Sequence, residues 1–236
     1  MSFFANTLNL LIEWGPNFTR GVIATLQIAF GAYFFGIAIG ILGALGKIYG
    51  GRVLKLLLDV YTTLIRAVPE LVLILLLYYA GTSLLNEVLE GAGFRRVDIS
   101  GIAAGIFVLG FVQGAYQTEV FRGAILAIPK SETDAAVAFG MSRFKVFHRI
   151  LIPAMIPLAL PGMANLWMVC TKDTALLAVV GFEELAQVTK QAAGKTRMFL
   201  EAFTVAAFLY LCITLASNVF FRWLDGRTTR GHPKLI

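Results

Sequence analysis

The chain has 236 residues, of which 58% are hydrophobic and only 14% charged, with a mean hydropathy of +0.78. A soluble domain carries about 25% charged residues, so this composition excludes one and requires lipid as solvent. The formal net charge of +6 does not mark a nucleic-acid binder, because the basic residues sit at the ends of apolar runs rather than on a basic face with interleaved aromatics.

In chain order, residues 1–14 read as a short surface helix ending at Glu13. No basic stretch precedes an apolar core and no small-residue cleavage site follows, so the first hydrophobic span is expected to stay in the protein. A hydrocarbon core of about 30 Å needs about 20 apolar helical residues. Run 21–46, bounded by Arg20 and Lys47, meets that length. Segment 54–85 reads as one long helix that starts near the cytoplasmic surface, although Arg66 and Glu70 fall within it. Runs 99–118, 150–171 (broken by Pro153, Pro157 and Pro161) and 202–221 complete five spans. Residues 175–182 are apolar but too short to cross, and are expected to dip in and return where protein covers the backbone. The expected organisation is a single transmembrane domain over 1–236, with spans near 20–47, 55–85, 99–121, 150–172 and 201–222 and a cytoplasmic loop at 123–149.

Five spans put the termini on opposite sides. With the C-terminus inside, twelve Lys and Arg fall in cytoplasmic segments and six outside, with Arg66 and Lys172 left within or beside spans. The positive-inside rule therefore predicts N-out, C-in. Cys170 and Cys212 lie in apolar runs as packing residues, and His148 and His232 form no ligand cluster, so no metal site is expected. Glycines four apart (Gly36 and Gly40, Gly101 and Gly105, Gly110 and Gly114) let helices approach closely in lipid. They serve either plain packing or a moving interface.

The longest inner loop, 122–149, carries the most information. Thr133 can cap a helix with Asp134 in its first turn, Ala135, Ala136 and Ala138 are strong helix formers, and Gly140 can end it in the left-handed conformation. Ser142 can cap a second short helix bearing Phe144, Val146 and Phe147. Small and aromatic residues offered to the cytosol in this way suit docking of another protein.

This loop resembles that of the membrane subunits of bacterial importers driven by ATP-binding cassettes. Their pattern is Glu-Ala-Ala, three residues, Gly, nine residues, Ile-x-Leu-Pro. Here Asp134-Ala135-Ala136, Gly140 and Ile150-Leu151-Ile152-Pro153 keep that spacing, with Asp for Glu and Ile for Leu. Ile65-Arg66-Ala67-Val68-Pro69, Ala115-Tyr116-Gln117-Thr118-Glu119 with Arg122-Gly123, and Lys172-Asp173-Thr174 ahead of Gly181 are similar to motifs of the polar amino acid branch. Within it the chain resembles the Q-type subunits of histidine/lysine/arginine/ornithine, octopine and nopaline importers over about residues 18–225.

The resemblance implies an all-α integral membrane protein, with five transmembrane helices in the type I ABC importer fold and a cytoplasmic coupling-helix loop. It implies coupling to an ATPase through Asp134, Ala135, Ala136, Gly140, Ser142 and Phe144. It implies three kinds of partner: an ABC ATPase dimer, a second homologous permease subunit in a heterodimer, and a periplasmic amino-acid-binding protein. The implied place is the bacterial inner membrane. The chain itself is expected to hold no cofactor and to catalyse nothing, with ATP and Mg bound by the partner ATPase. Gly194-Lys195-Thr196 completes the tail of a phosphate loop, but Thr189 stands where its first glycine belongs.

Ionisable residues inside a bilayer are costly and are functional candidates. Arg66, Glu70, Glu119 and Asp173 are four such. Glu119 is expected to have a general structural or gating part with Arg66 or Arg122 as partner. Glu70 can meet a substrate ammonium or guanidinium, or pair with Arg66 four residues earlier on one helix face. Asn165 and Trp167 offer hydrogen bonding and a cation–π face, or simple packing. The expected cargo is a polar, basic amino acid. Two other readings stay open here: a self-contained proton- or sodium-coupled transporter using Glu119 and Asp173, and a non-transporting scaffold or receptor.

Overall fold

A computed structural model describes residues 3–96 and 101–228, and every element among them is helical. The order is α1 (Phe3–Tyr49), α2 (Arg52–Ala67), α3 (Glu70–Gly91), α4 (Gly101–Ala127), α5 (Lys130–Ala138), α6 (Arg143–Val146), α7 (Ile152–Asp173), α8 (Leu185–Thr196) and α9 (Phe199–Thr228). A π-helical turn, Phe147–Leu151, leads into α7, and a 3-10 stretch, Thr174–Val180, leads out of it. Five helical stretches are long and apolar enough to cross a membrane: α1, α3, α4, the continuous stretch Arg143–Val180, and α9.

The expected surface helix over 1–14 is not separate. Its described part is the beginning of α1, which runs unbroken through Pro16 for 47 residues. At 1.5 Å per residue that is about 70 Å, more than twice a hydrocarbon core. Proline removes one donor, but Leu10, Trp14 and Phe18 on either side of it are buried with Leu185, Val188 and Ala202 of α8 and α9. Packing on the flanks holds the helix together where the ladder loses a bond.

The expected single helix over 55–85 is two. Pro69 has no N–H and pushes the residue before it out of the helical region. Val68 is accordingly extended (φ −95°, ψ 140°), so α2 ends at Ala67 and α3 restarts at Glu70. The prolines of α7 act differently: Pro157 and Pro161 lie inside an uninterrupted helix, contrary to the expected break. Pro153 sits on its first turn, where a missing donor matters little, and the π turn before it absorbs the misfit.

Two of the glycine pairs build the central seam between α1 and α4. Gly36 lies under Gln113 and Gln117, while Gly40 lies against the Gln117 backbone and Phe121. Across the seam, Gly110 admits Phe35 and Gly114 admits Ile39. These two pairs therefore pack two helices of one chain together, while Gly101 meets Phe182 and Gly105 meets Leu177, in the segment after α7. The short apolar segment 175–182 continues α7 as 3-10 helix and turns at Gly181, whose φ of +86° suits glycine. From there α8 returns against α1 and α9.

Candidate functional site

Three polar centres and one exposed loop stand out among the described residues.

The first centre lies where the last turn of α1 meets α2 and α4. Lys47 Nζ is 2.6 Å from Glu119 Oε1, 2.7 Å from Asp59 Oδ1 and 2.7 Å from Thr62 Oγ1. The Arg122 guanidinium donates to the other oxygen of Glu119, at 2.7 and 2.9 Å. Lys47 is only 7% exposed, so three acceptors replace the water its ammonium gives up. The sequence reading anticipated Arg122 as a partner of Glu119. It missed Lys47, read only as the end of a span, and it offered Arg66, which is not in this network.

The second centre forms at the helix break. The Glu70 carboxyl, opening α3, lies within hydrogen-bonding reach of the Asp173 carboxyl at the end of α7. The Tyr116 phenol of α4 also approaches Glu70, and Arg66 is near enough to act on that phenol electrostatically. The anticipated Arg66–Glu70 pair on one helix face does not form, because Val68 and Pro69 interrupt the helix between them. The break instead points Glu70 at another carboxyl, which makes this centre locally anionic. Tyr116 was legible only as part of a motif.

The third centre was not anticipated. Glu184 is completely buried at the N-cap of α8, where it accepts from the Gln187 N–H (2.9 Å), the Tyr210 hydroxyl (3.0 Å) and the Thr25 hydroxyl (3.3 Å). Burial pushes this carboxyl above its usual range, while the Ala186 and Gln187 amides and the two hydroxyls pull it back. It ties α1, α8 and α9 together. Elsewhere Asn6 of α1 donates to Glu201 of α9 (3.1 Å).

The remaining candidates are separate. Trp167 is buried, with its ring 4.6 Å from Phe30 and 5.2 Å from Tyr33 and its N–H donating to Ser217. That is the packing alternative. Asn165 is exposed on α7. Gly194, Lys195 and Thr196 form the last turn of α8, with Lys195 over the Trp14 ring, and make no phosphate loop.

The loop has a defined shape. α5 begins at Lys130 after Pro129, not at Thr133, whose hydroxyl instead donates to the Lys130 carbonyl inside the helix. It ends as the glycine predicted. Gly140 has φ +76°, its N–H donates to the Val137 carbonyl (2.9 Å), and the Met141 N–H donates to the Ala136 carbonyl (3.1 Å). These are the paired bonds of a Schellman motif. Ser142 occupies the N-cap of α6 without its side chain capping. Ala136 is buried, Asp134 and Ala135 are exposed, and Phe139 and Phe144 stand out at 88% and 76% exposure. Beneath them Asp134, Val137, Phe144 and Phe147 face Leu45 and Tyr49 of α1 across a cavity of about 690 Å³.

This arrangement defines a class: a helical membrane protein carrying a shaped docking loop. The chain belongs to the family of binding-protein-dependent transport system inner membrane components, whose pattern matches residues 36–230. It is 42% identical over 212 residues to the histidine/lysine/arginine/ornithine transport system permease protein HisQ of Escherichia coli, covering 90% of this chain and 93% of that one. It is 36% identical to the octopine transport system permease protein OccQ of Rhizobium radiobacter, covering 92% of each. Among solved structures it superposes on an amino acid ABC transporter crystallised with histidines, with TM-score 0.78 and 27% identity over 96% of this chain and 99% of that one. A MetNI methionine transporter chain, at 20% identity and TM-score 0.66 over 86% and 94%, shares the fold. The protein is thus an ABC importer permease subunit of the type I fold, multi-pass in the inner membrane and not an enzyme. Its work requires an ATPase and a binding protein. The family leaves no place for the ion-coupled transporter or the scaffold.

Proposed function

We propose that this subunit forms half of the route by which a basic amino acid crosses the membrane. The observation that carries this reading is the Glu70–Asp173 pair: two carboxyls side by side at a helix break hold a shared proton when alone and offer their charge to a cation that displaces it. An ammonium or guanidinium meets that need. The relatives named for histidine, lysine, arginine, ornithine and octopine transport support the same choice.

The rest follows from how such a subunit works. The N-terminus faces the periplasm and the C-terminus the cytoplasm, which places α5 and α6 on the inner side. Two ATPases, which bind ATP and Mg, dock on Phe139, Phe144 and the exposed side of α5. A second, related permease completes the pathway, and a periplasmic binding protein delivers the amino acid. ATP-driven closure moves the docking loop, and the α1–α4 seam carries that motion to the break at Pro69.

The test is uptake by the complete complex in proteoliposomes loaded with ATP. Arginine, lysine, histidine and ornithine should enter and should compete with one another. Import of glutamate or leucine in preference to these four overturns the reading.

A further inference from the structure

The polar side chains of α2 fall on one stripe. Arg52, Lys55, Asp59, Thr63 and Arg66 are spaced three, four, four and three residues apart, and all five are exposed. At 3.6 residues per turn they lie within an arc of about 80°. Next to the stripe is the face that packs inward, with Thr62 and Ile65 buried against α1 and α4. On the far side Val53, Leu57, Val60 and Leu64 are exposed and apolar. The helix therefore has three faces: one packed, one polar and one greasy.

Depth makes the polar face informative. The Tyr61 hydroxyl donates to the Phe111 carbonyl at 2.6 Å, and Lys47 joins Asp59 to Glu119. Tyr61 therefore lies beside the middle of membrane-spanning α4, whereas Asp59 lies toward its inner end with Lys47 and Glu119. A charge facing hydrocarbon at the middle costs at least about 2.5–3.5 kcal/mol, yet Arg66, five residues beyond Tyr61 and farther from that end, is exposed. Its guanidinium needs water beside it. The stripe also has a destination, since Arg66 at its far end stands in the last turn of α2, just before the break at Pro69 and Glu70, and its near end is the turn between α1 and α2.

We propose that the polar stripe of α2 is the water-facing wall of the inner half of the translocation pathway, leading from the Glu70–Asp173 centre to the cytoplasm. This rests on the importer reading above and adds the route. Groups of both signs along the wall, with Thr63 between them, match a solute carrying both ammonium and carboxylate. The apolar face beside it meets lipid or the second permease.

Adjacent residues on different faces give the test. In a cysteine-free parent (Cys170→Ala, Cys212→Ala), single Thr63→Cys and Leu64→Cys variants are assembled with the ATPase and second permease. A charged, membrane-impermeant methanethiosulfonate is added to inside-out vesicles, and arginine uptake is followed in the cells of origin. A thiol reacts as the thiolate, which apolar surroundings suppress, so Thr63→Cys should label at least about tenfold faster than Leu64→Cys. Equally slow labelling of both, in cells that take up arginine, overturns the wall and leaves the importer reading intact. Fast Thr63→Cys labelling in cells that import only non-basic amino acids overturns the substrate reading and leaves the wall standing.

Discussion

Lys47 on the last turn of α1 and Glu119 on α4 form a largely buried ion pair at 2.6 Å, 72 residues apart in the chain. Because Lys47 also holds Asp59 and Thr62 of α2, one ammonium fixes three helices at the end nearest α5. Removing it leaves two carboxylates facing each other with only Arg122 to compensate. Lys47→Met should therefore destabilise the chain by about 2–4 kcal/mol, the range for breaking a buried pair, reduced because Asp59 is largely exposed. Lys47→Arg, which keeps the charge, should recover most of this. Thermal unfolding of the purified subunit in detergent checks it; equal melting temperatures for Lys47→Met and the parent would remove the hub from the account.

Gly140 tests the docking loop. No neighbour lies within 4 Å of a side chain built there, so crowding is not what demands glycine; the positive φ is. A β-branched residue in that conformation costs more than the 1–2 kcal/mol typical of other residues. Gly140→Val should unseat the Schellman turn, and with it the placement of Phe139 and Phe144. The expected result is ATPase activity that no longer responds to substrate-loaded binding protein, with the subunit still inserted. Transport at the parent rate would remove the loop from its coupling role.

How much of this was legible in the sequence varied with the physics involved. The loop was readable because local pattern carries it: Gly140 falls between a run of helix formers and a second candidate cap, Ser142, and Asp134-Ala135-Ala136 keeps its distance from Pro153. The break at Pro69 was equally written in the sequence, but hydropathy across 54–85 masked it. Lys47 and Glu184 were harder to find. A charge at the end of an apolar run usually snorkels to the interface, and nothing local shows that Lys47 turns inward to acids 12 and 72 residues away. Glu184 was hidden for the same reason, since Thr25 and Tyr210, which bond it, lie on other helices. Long-range partners convert an ordinary surface charge into a buried one, and only the packed bundle reveals them.

The seam between α1 and α4 gives a prediction with an internal control. A Cβ on Gly40 would stand 2.7 Å from Gln117 Cβ and 3.0 Å from a backbone carbon, so relief requires α1 and α4 to part. Gly40→Ala should cost about 1–3 kcal/mol, as overpacking does. Gly123→Ala on α4, the other helix of the seam, meets nothing within 4 Å and should be neutral or slightly stabilising, because alanine is the better helix former. Comparing melting temperatures of the two variants separates crowding from any general effect of losing a helical glycine.

Glu70 is the sharpest test of what passes through. If its carboxyl meets the cationic side chain of the cargo, Glu70→Gln keeps shape and hydrogen bonding but removes the charge. Lysine and arginine are fully cationic at neutral pH, whereas histidine, with a side-chain pKa near 6.5, is mostly neutral. The variant should therefore slow lysine and arginine uptake about tenfold or more, the scale of one charge-assisted hydrogen bond, and slow histidine uptake less. Asp173 gives the control. As the other half of the pair, Asp173→Asn should show the same ranking of substrates. A uniform fall for all three amino acids in both variants would mean that the pair shapes the helix break rather than reading the cargo.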